Sequence, residues 1–204
     1  MDLKTFNTLS EKLLFNVFYE PGGFSFFPST FFWEKIDVDL NVIYKNHFLN
    51  KKDNNLYIHI PFCEKICSYC NCFKSISLWE KKINIYIKYL QKEAEILYKF
   101  NNFEKIKINN IFIWWWTPNI LNISQFKKLF EIIDKYFLFN NWEFLIDCHP
   151  NYLNDEKILL FKKYKVSRLT LALQTIDDLT LSQNNRENYD LEKMVDTNND
   201  WIVE

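Results

Sequence analysis

The hydrophobic pattern becomes regular from residue 56, where short apolar runs alternate with longer stretches of helical spacing. The apolar runs predict four strands, over residues 56–60, 108–114, 143–147 and 167–173. The stretches between and after them predict helices over 78–100, 123–137, 155–164 and from Asp177 onward, the third capped by Asn154. Four repeats of a strand followed by a helix are typical of βαβ units, so the sequence predicts a parallel sheet with right-handed crossovers.

The predicted fold class is α/β, a partial parallel (βα) barrel of about four units, because a closed barrel needs eight units and roughly 250 residues. We expect two parts, an irregular, aromatic-rich wrapping segment over 1–55 with a short helix near 9–18, and the partial barrel over 56–204. We also expect the chain to be the N-terminal portion of a longer enzyme and to end before the last barrel strands.

Composition narrows the class of protein. The chain is 48% hydrophobic and 19% aromatic with a net charge of -1, which excludes a disordered chain and gives no nucleic-acid footprint. We expect no signal peptide and no membrane span, since no uncharged apolar stretch reaches the ~18 residues that crossing requires. A cytoplasmic monomer is the resulting expectation.

Four of the five cysteines, Cys63, Cys67, Cys70 and Cys72, lie close together in the sequence. Such a cluster without a secretory signal favours a metal or redox site over disulfides. Two kinds of site are open. Zinc takes four protein ligands at a structural site, and Cys72 would complete that set. An iron–sulfur cluster held by the C-x3-C-x2-C spacing of the first three cysteines would keep one iron open for another ligand.

The string YIHIPFC…CSYCNC resembles the radical S-adenosylmethionine (SAM) superfamily, and within it the oxygen-independent coproporphyrinogen III oxidases (coproporphyrinogen dehydrogenases). The cysteine two residues after the third motif cysteine, Cys72 here, is typical of these oxidases and usually absent from the related haem chaperones. The segment YEPGGFSFFPSTFF also resembles the oxidases, although their usual arginine is missing.

The resemblance implies a [4Fe-4S] cluster on Cys63, Cys67 and Cys70, with SAM on the open iron. One electron would cleave SAM to methionine and a 5′-deoxyadenosyl radical, which would take hydrogen from a propionate of coproporphyrinogen III. Tyr57 would contact SAM and Tyr69 would lie beside its adenine. The implied partners are coproporphyrinogen III or a related tetrapyrrole, and an electron donor such as flavodoxin or ferredoxin.

The stretch IFIWWWTPNI departs from the family, whose second strand ends in Gly-Gly-Gly-Thr-Pro. The alignment places Trp115, Trp116 and Thr117 at SAM-contacting positions, where glycine lets the backbone approach the ligand and tryptophan does not. Three explanations are open. The SAM site is lost, or the corner is a piece of aromatic core, or the gene's UGA codons encode glycine and are read here as tryptophan. Two glycines beside seven tryptophans suit the last explanation.

Three more residues follow predicted strands and match SAM-binding positions of the family. Asp147 stands where the family has a glutamate for the amino group, Gln174 matches a glutamine after strand four, and Arg186 matches the arginine for the carboxylate. The function implied is oxidative decarboxylation of coproporphyrinogen III propionates to vinyl groups, giving protoporphyrinogen IX. The alternatives are a haem chaperone of the same superfamily and a zinc-binding module. Whether the fragment is active by itself is a separate open question.

Overall fold

A computed structural model of the protein describes residues 54–70, 75–76, 80–114 and 117–189. Their strands and helices, in chain order, are β1 Asn55–His59, β2 Phe62–Cys63, β3 Ser75–Ile76, α1 Glu80–Phe100, β4 Ile106–Trp114, α2 Ile123–Tyr136, β5 Phe137–Cys148, α3 Asp155–Lys163, β6 Arg168–Leu171 and α4 Asp178–Gln183. Short 3₁₀ turns follow β4 at Pro118–Ile120 and β5 at Pro150–Tyr152. Almost all of the segment 1–55, with the predicted helix over 9–18, lies outside the described residues, so the division into two parts stays a prediction.

The main sheet confirms the predicted α/β architecture. Within the described part of the chain, four strands pair in the order β1-β4-β5-β6, and every neighbouring pair is parallel. The register sets Ile113 of β4 beside Ile146 of β5, and Asp147 beside Thr170 of β6. Because all four strands run the same way, the loops that follow them lie at one edge of the sheet.

The core lies between this sheet and the helices that follow its strands. Side chains with at most 1% exposure come from strands and helices alike, including Ile111, Ile113, Phe126 and Phe161. Phe126 meets Phe161 edge to face, with ring centroids 4.9 Å apart, which joins α2 to α3. On β4, Ile111 and Ile113 on one face are buried, whereas Phe112 and Trp114 on the other face are partly exposed.

Side-chain caps fix where the helices begin. Asn122 accepts a hydrogen bond from Gln125 N at 2.9 Å, and the Gln125 side chain accepts one from Asn122 N at 2.9 Å, which forms a capping box on α2. The predicted cap of α3 is confirmed, because Asn154 Oδ1 accepts from Lys157 N at 2.9 Å.

Strand β5 is longer than predicted. The sequence predicted a strand over 143–147, but β5 begins directly after α2, at Phe137. The apolar run from Phe137 to Phe139 pairs with Ile106 to Ile108 of β4, and a register shift between Ile108 and Asn110 takes up the extra residues of β5. Residues 140–142 lie at this irregularity inside the strand.

A small parallel sheet was not predicted. Phe62 pairs with Ser75 and Cys63 with Ile76, so the first cysteine stands at the end of a short strand. Ser75 N also donates to Pro61 O at 2.7 Å. None of the helices in the described part of the chain combines the length and the apolar character needed to cross a membrane.

Candidate functional site

The loops at the carboxyl edge of the sheet bring four of the predicted site residues together. Cys63, Cys67, Thr117 and Arg186 line one pocket, which they share with the following residues: Glu64, Lys65, His149, Tyr152, Asn185 and Glu187. These residues come from the loops after β1, β4 and β5 and from the segment after α4. The predicted convergence of the strand ends is therefore observed for these four residues.

Two of the cysteines hydrogen-bond to predicted site residues. Cys63 Sγ lies 3.7 Å from Thr117 Oγ1, and Arg186 donates to Cys67 Sγ at 3.6 Å. Cys70 is not among the pocket-lining residues, and its backbone N–H donates to Cys67 O at 3.1 Å. All three are free thiols, and the arginine complements the negative charge that thiolate ligands carry.

Zinc and an iron–sulfur cluster place different demands on these thiols. Among the described residues, no three His, Cys, Asp or Glu side chains are gathered closely enough to hold one metal ion. Zinc would need its sulfurs at about 2.3 Å from one centre, whereas a cluster spreads its thiolates over different iron atoms. Cys72, which a zinc site would need as its fourth ligand, lies outside the described residues.

Arg186 is held in a fixed place by groups from several segments. Its Nε donates to Tyr189 Oη at 2.5 Å, one terminal nitrogen donates to Ala172 O at 2.5 Å, and the other donates to Tyr69 Oη at 3.3 Å. Burial lowers the pKa of Arg186, but hydrogen bonds with Tyr189 and Cys67 outweigh burial and raise it, so the guanidinium is always charged. Burial raises the pKa of Tyr69 to about 12, so its hydroxyl is neutral.

The end of β5 carries a buried carboxyl and a buried imidazole. Burial raises the pKa of Asp147 to about 6, against hydrogen bonds from Cys148 N–H and the Trp114 side chain and the charge of Arg186, which lower it. Burial and the charge of Arg186 lower the pKa of His149 to about 4, so its ring is neutral near pH 7. Asp147 is thus an anion that a cationic ligand would stabilise.

The remaining predicted residues lie away from this pocket or outside the described residues. Tyr57 is 48% exposed, and its hydroxyl hydrogen-bonds to His59 Nδ1 at 3.1 Å. Gln174 is exposed and has a left-handed backbone with φ of 44°. Trp115 and Trp116 are outside the described part of the chain, so their contact with SAM stays a prediction.

Asn119 is a site residue that sequence reasoning missed. It is fully buried, donates to His149 O at 2.8 Å and accepts from His149 N at 2.8 Å, so it fastens the loop after β4 to the loop after β5. Lys157 Nζ donates to Asn119 O at 2.5 Å and extends this tie to α3. An asparagine directly after Thr-Pro is a weak signal, because most loop asparagines are exposed.

The Tyr152–Glu64 contact was also missed. The Tyr152 hydroxyl donates to Glu64, the residue after the first cysteine, so a second tie joins the loop after β5 to the cysteine loop. Burial, followed by the hydrogen bond with Glu64, raises the pKa of Tyr152, which keeps this donor protonated.

The sequence matches the Radical SAM superfamily over residues 57–200, which is well over half of the chain. The chain belongs to the radical SAM superfamily. Membership implies a [4Fe-4S] cluster and SAM as cofactors. The free thiols of the C-x3-C-x2-C loop, with Thr117 and Arg186 at the same pocket, fit these groups.

Two groups of curated relatives resemble this radical SAM chain. It is 33% identical to the heme chaperone HemW of Lactococcus lactis over 134 residues, which are 65% of this chain and 34% of the relative. It is 28% identical to the oxygen-independent coproporphyrinogen III oxidase of Escherichia coli over 134 residues, 65% of this chain and 29% of the relative. The chain therefore spans about a third of the length of these relatives.

A solved structure resembles the fold. The coproporphyrinogen III oxidase HemN of Escherichia coli, a radical SAM enzyme, superposes with a TM-score of 0.72 at 21% identity, over 89% of this chain and 40% of that one. The likeness confirms the predicted fold class, an α/β fold of the radical SAM type.

The buried carboxyl of Asp147 predicts a pH-dependent stability. Its pKa in the folded protein, about 6, lies above the ordinary value of 3.8. The protonated carboxyl therefore contributes its full share to the stability of the fold below pH 3.8, and this contribution is lost as the pH rises through 6. Asp147→Asn removes this loss. We expect the variant to be more stable than the parent above pH 6, by up to about 3 kcal/mol, at ~1.4 kcal/mol per pKa unit.

Chemical denaturation at a series of pH values measures this difference. Asp134→Asn, at an exposed position of α2, is the matched control and should follow the parent at every pH. A stability gain for Asp147→Asn that is the same at acidic and alkaline pH would show that the carboxyl does not titrate as expected.

Proposed function

We propose that Cys63, Cys67 and Cys70 hold a [4Fe-4S] cluster and that SAM binds beside it at the carboxyl edge of the sheet. The observation that carries this proposal is the shared pocket of Cys63, Cys67, Thr117 and Arg186. When bound, the cluster supplies the single electron that cleaves SAM reductively and so starts hydrogen abstraction from the substrate.

The residues around the pocket have distinct tasks in this proposal. Arg186, held by Tyr189 and Ala172, supplies a fixed positive charge for the carboxylate of SAM. Asp147 receives the amino group, whose positive charge favours the ionised form of this buried carboxyl. Thr117 lies in the loop after β4 and contacts Cys63 of the cysteine loop, so it would position the ligand between the two loops.

Three further residues would bind the outer parts of SAM. Tyr69 is half-exposed beside Arg186 and would pack against the adenine. Tyr57 on β1 and Gln174 after β6 are both exposed and would complete the contacts. Positions 115 and 116 would let the backbone approach the ligand only with glycine in place of tryptophan.

The reaction we propose for the whole protein is oxidative decarboxylation of coproporphyrinogen III propionates, with an external electron donor such as flavodoxin or ferredoxin. The coproporphyrinogen III oxidases among its relatives support this assignment. Cys72 supports it as well, since that cysteine is typical of the oxidases in the resemblance described above.

A haem chaperone is the second candidate function. The observation that favours it is the higher identity to the heme chaperone HemW, 33% against 28% for the oxidase of Escherichia coli. A chaperone would bind haem and leave the propionates intact, so the two functions differ in whether the tetrapyrrole is consumed.

Anaerobic turnover distinguishes the two candidates. The protein, reconstituted with iron and sulfide, is incubated with SAM, a low-potential reductant and coproporphyrinogen III. Products are resolved by chromatography. The oxidase proposal expects 5′-deoxyadenosine together with protoporphyrinogen IX. Unchanged coproporphyrinogen III, together with tight binding of haem in a separate titration, would favour the chaperone.

Arg186→Lys is expected to weaken SAM binding by about 10- to 100-fold, because an ammonium has three N–H donors whereas the guanidinium has five, four of which already bond protein groups. Isothermal titration calorimetry on the reconstituted protein measures the change. Arg168→Lys is the matched control, since Arg168 lies on β6 in an ion pair with Glu143 at 2.9 Å. Equal losses in both variants would remove Arg186 from the SAM site.

A further inference from the structure

The loop that carries the three motif cysteines, residues 63–70, is fastened to a segment far along the chain. We call residues 184–187, which follow α4, the clamp. Ser68 N donates to Asn184 O at 3.1 Å, and Ser68 Oγ donates to Asn184 Oδ1 at 2.5 Å. Asn184 thus holds both the backbone and the side chain of a residue that lies between two motif cysteines.

Asn185 contacts the cysteine loop two residues before Ser68. Its side-chain amide donates to Ile66 O at 2.8 Å. Its backbone is left-handed, with φ of 53°, a conformation that asparagine tolerates better than most residues. Asparagine therefore serves two purposes at this position, because it completes the turn after α4 and supplies a donor to the cysteine loop.

The other two clamp residues contact the same loop. Lys65 forms an ion pair with Glu187 at 3.2 Å, and Arg186 donates to Cys67 Sγ at 3.6 Å and to Tyr69 Oη at 3.3 Å. Together with the two asparagines, the clamp contacts every residue from 65 to 69. Such a continuous set of contacts across more than a hundred residues of sequence fixes the shape of the loop.

We propose that Asn184 and Asn185 are positioning residues that hold the cysteine loop in the shape required for cluster binding. Three thiolates bind one cluster only when the backbone between them is ordered, and ordering a free loop costs conformational entropy. The contacts of the clamp order the loop before the cluster binds, so cluster binding does not have to order it. Because Arg186 belongs to the same clamp, the cysteine loop and the carboxylate-binding arginine are fixed relative to each other. The inference rests on the cluster site proposed above, and not on which tetrapyrrole is the substrate.

The test measures how fast the reconstituted cluster is lost. Asn185→Asp keeps the shape and the left-handed backbone but turns a donor toward Ile66 O into an acceptor. Asn185→Gly keeps the backbone and removes the side chain. Asn102→Asp and Asn102→Gly are matched controls, because Asn102 is also left-handed, with φ of 54°, and lies after α1. Iron release to a chelator is followed anaerobically, together with the electron paramagnetic resonance spectrum of the reduced cluster and the thermal midpoint.

We expect both Asn185 variants to release iron about fivefold faster than the parent or more, the effect of losing one hydrogen bond or opposing two acceptors. The cluster spectrum should change, while both Asn102 variants match the parent. Parent-like release and spectra in both Asn185 variants would overturn the inference, as would equal acceleration in the Asn102 variants. A parent chain that takes up no iron and sulfide would instead overturn the proposed function, and this inference with it.

Discussion

Replacing any one of Cys63, Cys67 and Cys70 with serine is expected to leave the reconstituted protein with little iron and sulfide. A hydroxyl is a poor ligand for iron–sulfur clusters, which thiolates select. Changing a group that merely supports a metal ligand costs 10- to 100-fold in affinity, so losing a ligand should cost at least about that much. Iron, sulfide and zinc analysis with visible absorption spectra measures the outcome.

Cys72→Ser is the matched control for these three variants. Cys72 lies outside the C-x3-C-x2-C spacing, so its variant should keep the iron and sulfide of the parent. Cys148→Ser is a second control, because burial raises the pKa of this thiol and keeps it protonated, and a thiol in that state does not bind metal. Stoichiometric zinc without sulfide, lost in Cys72→Ser as well, would establish the zinc module in place of the cluster.

The sequence predicted the parallel sheet because short apolar runs alternate with stretches of helical spacing, which is the pattern of βαβ units. It failed at the start of β5, where the helical spacing of α2 continues through Phe137 without a break. The residues Phe137 to Phe139 become strand because β4 offers them a parallel partner. That partner is a tertiary fact, and no local pattern contains it.

Different kinds of sequence evidence identified different residues of the site. Spacing alone identified the cysteines, and the rule that loops meet at the carboxyl ends of parallel strands placed Thr117 and Asp147. The resemblance added Arg186. Asn119 and the two asparagines of the clamp were missed, because an asparagine in a loop is common and its partner lies far away in sequence.

The first of the three tryptophans, Trp114, lies beside a residue of the proposed SAM site. Trp114 ends β4 with 43% exposure, and its side chain hydrogen-bonds to Asp147. The indole thus occupies one acceptor position of the carboxylate that the proposed SAM site needs for the amino group. Positions 115 and 116 lie outside the described residues, but at both of them the family has glycine, which leaves the space beside the backbone to the ligand.

Glycine at all three positions is expected to tighten SAM binding to the reconstituted protein. Releasing Asp147 from the indole makes one charge-assisted hydrogen bond available, which corresponds to about 10- to 100-fold in affinity. Removing two further indoles from the predicted ligand space adds to this gain. Equilibrium dialysis or calorimetry with SAM measures the affinity of Trp114→Gly, Trp115→Gly and Trp116→Gly combined in one chain.

Trp142→Gly is the matched control, because Trp142 is 69% exposed on β5 and should leave SAM affinity unchanged. The codons of the gene decide how the tryptophans arose. UGA at all three positions, with peptide masses that show glycine, would establish that the functional protein already carries glycine. UGG codons would establish real tryptophans and a SAM site that the substitutions should repair. If the triple variant bound SAM no more tightly than the parent, both the steric argument and the competition for Asp147 would be wrong, and the corner would be a piece of aromatic structure.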